Sequence, residues 1–543
     1  MKRATPAREQ DILLKGGLIV DGSGSAPWTG HLLIKGGKVH RLSARPIRTT
    51  GVVIDCAGRV IAPGFIDAHS HLDWHLPIKG HDELKYPFLA QGITTVVAGN
   101  CGSAAAGFRE NSTWRSHVEG GLLKNGLLSL TWDTAEEYFS RLALSGASHN
   151  IALLAGHGST RTSIRGNDPA PLHPYEIKEL LWLLENAMEQ GARGVSLGLQ
   201  YEPGIFAPPE ELREVAQLVR RKGKILAVHA RALSALAPGY PVRPFGEAHN
   251  LIALRELLDL ARLTGVRLQI SHLIFVGSRT WRTADAALQL IDKAIADGVD
   301  VKFDTYPFHC GASVISVVIS AWFLAKGPAA YTDARALRRL KREIRLIEKL
   351  LGFGTSDIQV TNTLDPDLAD YNGMFLNEIA RLRRMNPIDT LIDISRRSGG
   401  QAKVLCHRYS NGKIMESLVK HPASLFMTDA WVERAGVQNP AAYGAFPRLL
   451  QLVRDRQLIP LEDAVRKMTG ATAERFGLSD RGRLAQGRPA DITVFDWENV
   501  RDNTTTTETS AAPTGIDYVF VNGKKIIASG RRENPLNAGV PLT

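Results

Sequence analysis

A chain of 543 residues has room for two or three domains, one of which can be a barrel of about 250 residues or more, and is far too long for a disulfide mini-protein. It is 44% hydrophobic and 22% charged, which excludes global disorder. The formal charge is +11, but the basic residues are spread out, and the densest group, Arg335 to Lys349, alternates with Leu and Ile as a solvated amphipathic helix would.

The chain opens on MKRATPAREQ, which has no apolar stretch behind it and does not read as a secretory signal. The runs DILLKGGLIVDG, HLLIKGGKVHRL and VVIDCAGRVIAPG then alternate β-branched residues with glycine turns and predict a small β module over residues 1–63. GLIVDGSGSAP within it lacks a Gly-Lys-Ser/Thr and a following helix, so it is a turn and no nucleotide site is expected. From Gly64 to Asp480 short apolar strands alternate with amphipathic helices, the pattern of repeated βα units. FIDAHSH, ITTVVAGNCG, NIALLAGHG, GARGVSLGL, KILAVHAR, RLQISHL, GVDVKFDTYP, AKVLCH and SLFMTDA are nine strand candidates for a fold that needs eight, the (β/α)₈ TIM barrel, so one must lie outside it.

Residues 310–401 are too long for one βα loop and predict an insertion over the barrel mouth. Its apolar run, Ser313 to Ala325, is shorter than the roughly 18 residues of a membrane span, and is expected to be buried or to form a substrate wall. Strand texture returns after 481 in GRLAQGRPADITVFDW and IDYVFVNGKKIIASG, separated by a polar Thr-rich loop. The two terminal β segments, 1–63 and 481–543, predict one sheet domain beside an α/β barrel of residues 64–480.

In a TIM barrel the C-terminal strand ends converge on one site. His69 and His71 are two apart on one strand and therefore share a face. His229 ends KILAVH, His272 ends RLQISH, Asp429 ends SLFMTD and Cys101 ends TTVVAGNC. Alone, a His-x-His pair is a hydrogen-bonded structural pair and a buried Cys is a small hydrophobe. Together, imidazole, carboxylate and thiolate suit zinc and disfavour magnesium or calcium. Asp429 is also a candidate general base, with a helix N-cap as its structural alternative. His157, in LLAGHGS, is a candidate for polarising a carbonyl or a structural histidine.

The opening DILLKGGLIVDGSG, the motif APGFIDAHSHLD, the segments QGITTVVAGNCG, GARGVSLGLQYEPGIFA and YGAFPRLL, and the closing GRLAQGRPADITVFD closely resemble the amidohydrolase superfamily, and within it the N-acyl-D-amino-acid deacylase (D-aminoacylase) family. The resemblance covers nearly the whole chain. It implies a (β/α)₈ barrel joined to a β-sandwich built from both chain ends. It implies that Cys101, His229 and His272 hold a tight zinc, with His69, His71 and Asp429 around a second, weaker position whose occupancy stays open. Cys101 would stand where other amidohydrolases use a carboxylated lysine or a glutamate, and strand GARGVSLGL carries Ser196 and no lysine. The implied activity is hydrolysis of a linear amide, and Tyr201 matches the family's substrate tyrosine.

The chain departs from the family where a substrate carboxylate is received. The family's lysine two residues after the strand-end histidine is Ile274, its His-Pro-Arg is Asn439, Pro440 and Ala441, and its Ser-Asp-Gly is Thr428, Asp429 and Ala430. Either the substrate lacks that carboxylate, which is the favoured expectation, or Arg161, Arg165, Arg231 or Arg279 replaces the missing cation. Arg231 shares a face with His229 and is alternatively a partner for a supporting carboxylate. Two rival readings are a cyclic amide or imide hydrolase of the dihydroorotase and hydantoinase type, and a non-catalytic scaffold on the same fold. The expected partner is a small-molecule amide, with neither nucleic acid nor a membrane. Four irregularly spaced cysteines (Cys56, Cys101, Cys310, Cys406) predict a reducing, cytoplasmic setting.

Overall fold

A computed structural model of the chain describes residues 10–119, 126–237, 240–241 and 246–543. Its centre is eight parallel strands, β1 (Phe65–Asp67), β2 (Ile93–Ala98), β3 (Asn150–Gly156), β4 (Gly194–Gly198), β5 (Ile225–His229), β6 (Arg267–Ile270), β7 (Val301–Thr305) and β8 (Ser424–Phe426), paired in that order. The barrel closes where Ala68 N donates to Phe426 O at 3.2 Å and Asp429 N donates to His69 O at 3.0 Å. β2 and β3 are buried at every position because the crossover helices cover their outer face, which is why they read as unbroken apolar runs. The helix Pro209–Arg221 is typical of that cover. Proline and two glutamates start it, Arg220 and Arg221 end it, and Leu212, Val215, Ala216 and Val219 face inward.

The ninth strand candidate, Lys403–Cys406, lies outside the barrel. It runs antiparallel between Gly311–Val314 and Ile358–Asn362 in a three-stranded sheet, so the insertion's own sheet continues past Gln401. Around this sheet Ile315, Ile319, Phe323, Leu340, Ile344, Leu391 and Val404 form a separate core. The apolar run from Ser313 thus packs the insertion itself. The basic segment is the helix Ala334–Leu351, capped by Asp333 at its start and by left-handed Gly352 at its end, with Leu340 and Ile344 on the buried side. The insertion docks on the loop after β6, where Phe275 N donates to Tyr409 O at 2.8 Å and Arg279 N to Leu351 O at 3.0 Å. It therefore stands over the C-terminal end of the barrel.

Strands from both chain ends build one nine-stranded sheet, joined where Val60–Pro63 runs antiparallel to Ile492–Phe495. Val39, near one end of the strand path, and Phe520, near the other, share a core with Ile61 and Val494, so the sheet folds over on itself as a sandwich. Phe65 ties this domain to the barrel: its ring lies 5.7 Å from Phe446 on the helix after β8 and 5.9 Å from Phe495 in the terminal sheet. All four cysteines are free and buried. Among the described residues no helix is long and apolar enough to cross a membrane.

Phe65 is fully buried, so Phe65→Ala removes contacts from three elements at once and is expected to cost about 3–5 kcal/mol. The check is the denaturant midpoint of the variant beside that of the wild type, and an unchanged midpoint would place the junction elsewhere.

Candidate metal centre and active site

Six of the predicted side chains meet at the C-terminal mouth of the barrel. Cys101 Sγ lies 3.3 Å from His69 Nε2, 3.6 Å from His229 Nδ1 and 3.5 Å from His272 Nε2. Asp429 Oδ1 lies 3.3 Å from His69 Nε2 and 3.4 Å from His71 Nε2. The donor atoms of His69, Cys101, His272 and Asp429 all fall within 4.8 Å of one another. His69 stands between two overlapping groups, one centred on the thiol and one on the carboxylate. Cys101 (φ 56°), His272 (φ 29°) and Asp429 (φ 50°) have left-handed backbones. Each strand end thus turns sharply, a conformation that surrounding structure must hold in place. Asp429 is not a helix cap, since the next helix begins only at Ala441.

The site is buried and its charges are mutually dependent. Burial opposes ionisation of Cys101, but His69 and His272 outweigh it and hold the thiol well below its usual range. Burial likewise opposes the Asp429 carboxylate, and the same two imidazoles lower its pKa. His229 is pushed down by burial and by the charge of His272. The donor set fits a metal ion. Tetrahedral zinc with bonds of about 2.0–2.3 Å places its ligand atoms roughly 3.3–3.8 Å apart, the range of the distances from Cys101 Sγ to the His69, His229 and His272 nitrogens.

Three supporting residues were not picked out from the sequence. Asp304, on β7, accepts from His272 N at 2.6 Å and from Gln269 Nε2 at 2.8 Å, and its Oδ1 is 3.4 Å from His69 Nδ1. Asp67 accepts from His69 N, Thr428 N and Thr428 Oγ1, tying β1 to the end of β8. Gln200 Oε1 lies 2.8 Å from His229 Nε2. Gln200 and Asp304 stand at imidazole nitrogens turned away from the Cys101 thiol, where such groups orient a ring, whereas Asp67 holds backbone and the Thr428 hydroxyl. Asp304 and Asp67 were visible as strand-end carboxylates; Gln200 carried no signal. A fourth group, the Tyr306 hydroxyl after β7, is buried without a hydrogen-bond partner among the described residues, and its pKa is raised by burial and by the charge of Asp429.

The other predicted residues are placed differently. His157 opens the helix His157–Arg165, and its Nε2 is 2.7 Å from Glu211, which also lies 3.4 Å from Arg161, all fully enclosed. Among the described residues no hydrogen bond or ion pair joins His157 to the cluster; its Nε2 is taken by Glu211, and its buried Nδ1 has no hydrogen-bond partner among them. Tyr201 is at the site: its hydroxyl donates to Cys101 O at 2.9 Å and its ring is 4.9 Å from His229. Arg231 donates to the carbonyls of Ile205 and Ala207 and pairs with Glu256. Ile274 lines a small internal void with Ala230, Leu233 and Phe275. Ala441 is buried at a helix start, its carbonyl accepting from Gln91.

The amidohydrolase family profile matches residues 52–238 and 374–527. D-aminoacylase of Alcaligenes xylosoxydans xylosoxydans is 31% identical over 517 residues, 95% of this chain and 94% of its own. The chain belongs to the amidohydrolase family, in its N-acyl-D-amino-acid deacylase branch. Among solved structures it is similar to N-acyl-D-glutamate deacylase from Bordetella bronchiseptica, complexed with zinc and a phosphonate mimic of the tetrahedral intermediate. That match has 26% identity and a TM-score of 0.80, and covers 98% of this chain and 99% of the other. L-hydantoinase of Arthrobacter aurescens, at 16% identity and a TM-score of 0.54 over 98% and 100% of the two chains, shares the fold alone. This amidohydrolase is an enzyme that hydrolyses carbon–nitrogen bonds other than peptide bonds.

Because Asp304 holds β6 and faces β1 through two histidines, Asp304→Ala in this amidohydrolase is expected to weaken metal binding about 10–100-fold. Chelator competition measures it, and an unchanged affinity would reduce Asp304 to a barrel-packing role.

Proposed function

We propose that this amidohydrolase is a zinc-dependent hydrolase of a linear N-acyl amide whose substrate lacks the free carboxylate of an N-acyl-D-amino acid. The observation that carries the first part is the buried cluster of Cys101, four imidazoles and Asp429 at the barrel mouth. His69, His71, Cys101, His229, His272 and Asp429 would hold the metal, with one tight position about the thiol and a second, weaker one about Asp429. When bound, zinc supplies an activated water at neutral pH and draws charge from the scissile carbonyl. Asp429, beside His69 and His71, would serve as the general base toward the attacking water and return the proton to the leaving nitrogen as the carbon–nitrogen bond breaks. Tyr201, whose ring lies 4.9 Å from His229, would stand beside the acyl group.

The second part is supported by the residues that stand where the family places cations. Ile274 and Ala441 bring no charge where the family brings cations, and both are buried in apolar packing. Of the arginines that could replace them, Arg161 and Arg165 are held by Glu211, Asp168 and Glu176, and Arg231 by Glu256 and two carbonyls. Arg279 is exposed. A carboxylate buried without a cation loses several kcal/mol of hydration without return. Four unpaired cysteines suit a reducing compartment, and the cytoplasm is the location this reading assigns.

Two outcomes test the reading. Removing the metal with a chelator is expected to abolish turnover. Asp429→Asn is expected to keep the fold and most of the metal while turnover falls about 10²–10⁴-fold. Metal analysis and rates are measured on one preparation, and a variant with full metal and wild-type turnover would leave Asp429 a structural ligand. For the substrate, N-acyl-D-amino acids, their carboxamides and cyclic amides are compared by kcat/KM. The carboxamides are expected to lead. A clear preference for the carboxylate would show that an arginine does reach the pocket, and a preference for the cyclic amides would favour the hydantoinase-like reading.

A further inference from the structure

Strand β4 supplies no donor to the metal cluster among the described residues, yet it lies directly against the loop that carries Cys101. Ser196, fully buried in the middle of β4, donates through Oγ to Gly99 O at 2.5 Å and accepts from Gly102 N at 2.9 Å. Those two groups flank Cys101, so one hydroxyl closes the loop from both sides. The contact leaves no room for bulk. A Cβ on Gly102 would come 2.8 Å from Gly198 N, and one on Gly198 would run into the Cys101 carbonyl. The far side of the loop is held by the helix after β3, where Ser159 N donates to Gly102 O at 2.9 Å and Ser159 Oγ accepts from Ala104 N at 3.0 Å. Between these supports Cys101 keeps the left-handed backbone (φ 56°) that an L-residue with a side chain rarely adopts.

We propose that Ser196 is the positioning residue of the thiolate ligand: its hydroxyl bridge from Gly99 to Gly102 holds Cys101 in the conformation that places Sγ among His69, His229 and His272. The proposal rests on the reading of Cys101 as a metal ligand. A strand that brings no ligand of its own thus acts on the metal through the backbone of another.

The test uses the full-length protein as Ser196→Ala, Ser196→Thr and Cys101→Ser. Zinc affinity is measured by chelator competition, and the sulfur-to-metal charge-transfer band is recorded on the cobalt-substituted protein. Ser196→Ala is expected to bind zinc about 10–100-fold more weakly and to shift or lose the cobalt–thiolate band while its metal-free circular-dichroism spectrum stays native. Ser196→Thr, which keeps the hydroxyl, is expected to restore both. A natively folded Ser196→Ala with wild-type affinity and band overturns the proposal. If Ser196→Ala does not fold, Ser196→Thr decides: native folding with the band supports the bridge, and native folding without it overturns it. Cys101→Ser separates the two readings, because wild-type zinc affinity in that variant would remove the metal-ligand reading itself, whereas weak binding there with wild-type binding in Ser196→Ala removes only the bridge.

Discussion

Burying several ionisable groups in one water-poor space is expensive unless each charge finds a partner, and that requirement organises the mouth of this barrel. The thiol, the imidazoles and Asp429 satisfy part of it among themselves, and the rest is passed outward. Asp304 answers His272 and Gln269 on β6 and faces His69 beyond β1. Asp67 answers His69 and Thr428 across the seam between β1 and β8. Each carboxylate therefore couples strands that are distant in the sequence. The hydrogen bonds that close the barrel, from Ala68 to Phe426 and from Asp429 to His69, are made by the same segment that carries the donors. Barrel closure and the geometry of the metal centre are one construction.

The choice of a thiolate has its own consequence. Cys101 carries a soft donor on a short side chain, and its loop is bent tightly over β4 where Sγ meets the histidines. A carboxylated lysine reaches a metal from farther back and needs no such bend. The small residues Ser196 and Gly198, which would look like vacancies in a lysine-bearing site, are here the bed for the loop.

The strand ends were legible because each ligand type stood at the end of an apolar run, a local pattern that survives without knowledge of the fold. What stayed hidden was non-local. Lys403–Cys406 reads like a barrel strand because it too is buried on both faces, and only its antiparallel pairing with Gly311–Val314 and Ile358–Asn362 separates it from the eight. His157 occupies the same kind of strand-end position as His229, but the helix begins at it and Glu211 from a later helix takes its ring nitrogen. Asp304 was overlooked because its value lies in reaching two histidines on other strands. Comparison with a family tells which side chains are missing at Ile274 and Ala441, whereas only coordinates show that both positions are enclosed by packing.

The terminal sheet has a consequence for how the polypeptide is made. Ile61 pairs with Val494, roughly 430 residues later, so although Ile12–Ile19 pairs locally with Trp28–Lys35 and Val60–Pro63, the other edge of Val60–Pro63 stays open until the strand around Val494 has been made. At about 5–20 residues per second that interval lasts roughly 20–90 s. Throughout it the apolar face of Ile12–Ile19, Trp28–Lys35 and Val60–Pro63 has no permanent cover, while the barrel behind it accumulates βα units one at a time. A half-built sheet of this kind carries an open strand edge and uncovered apolar surface for the length of that interval, the condition under which partly folded chains associate with one another.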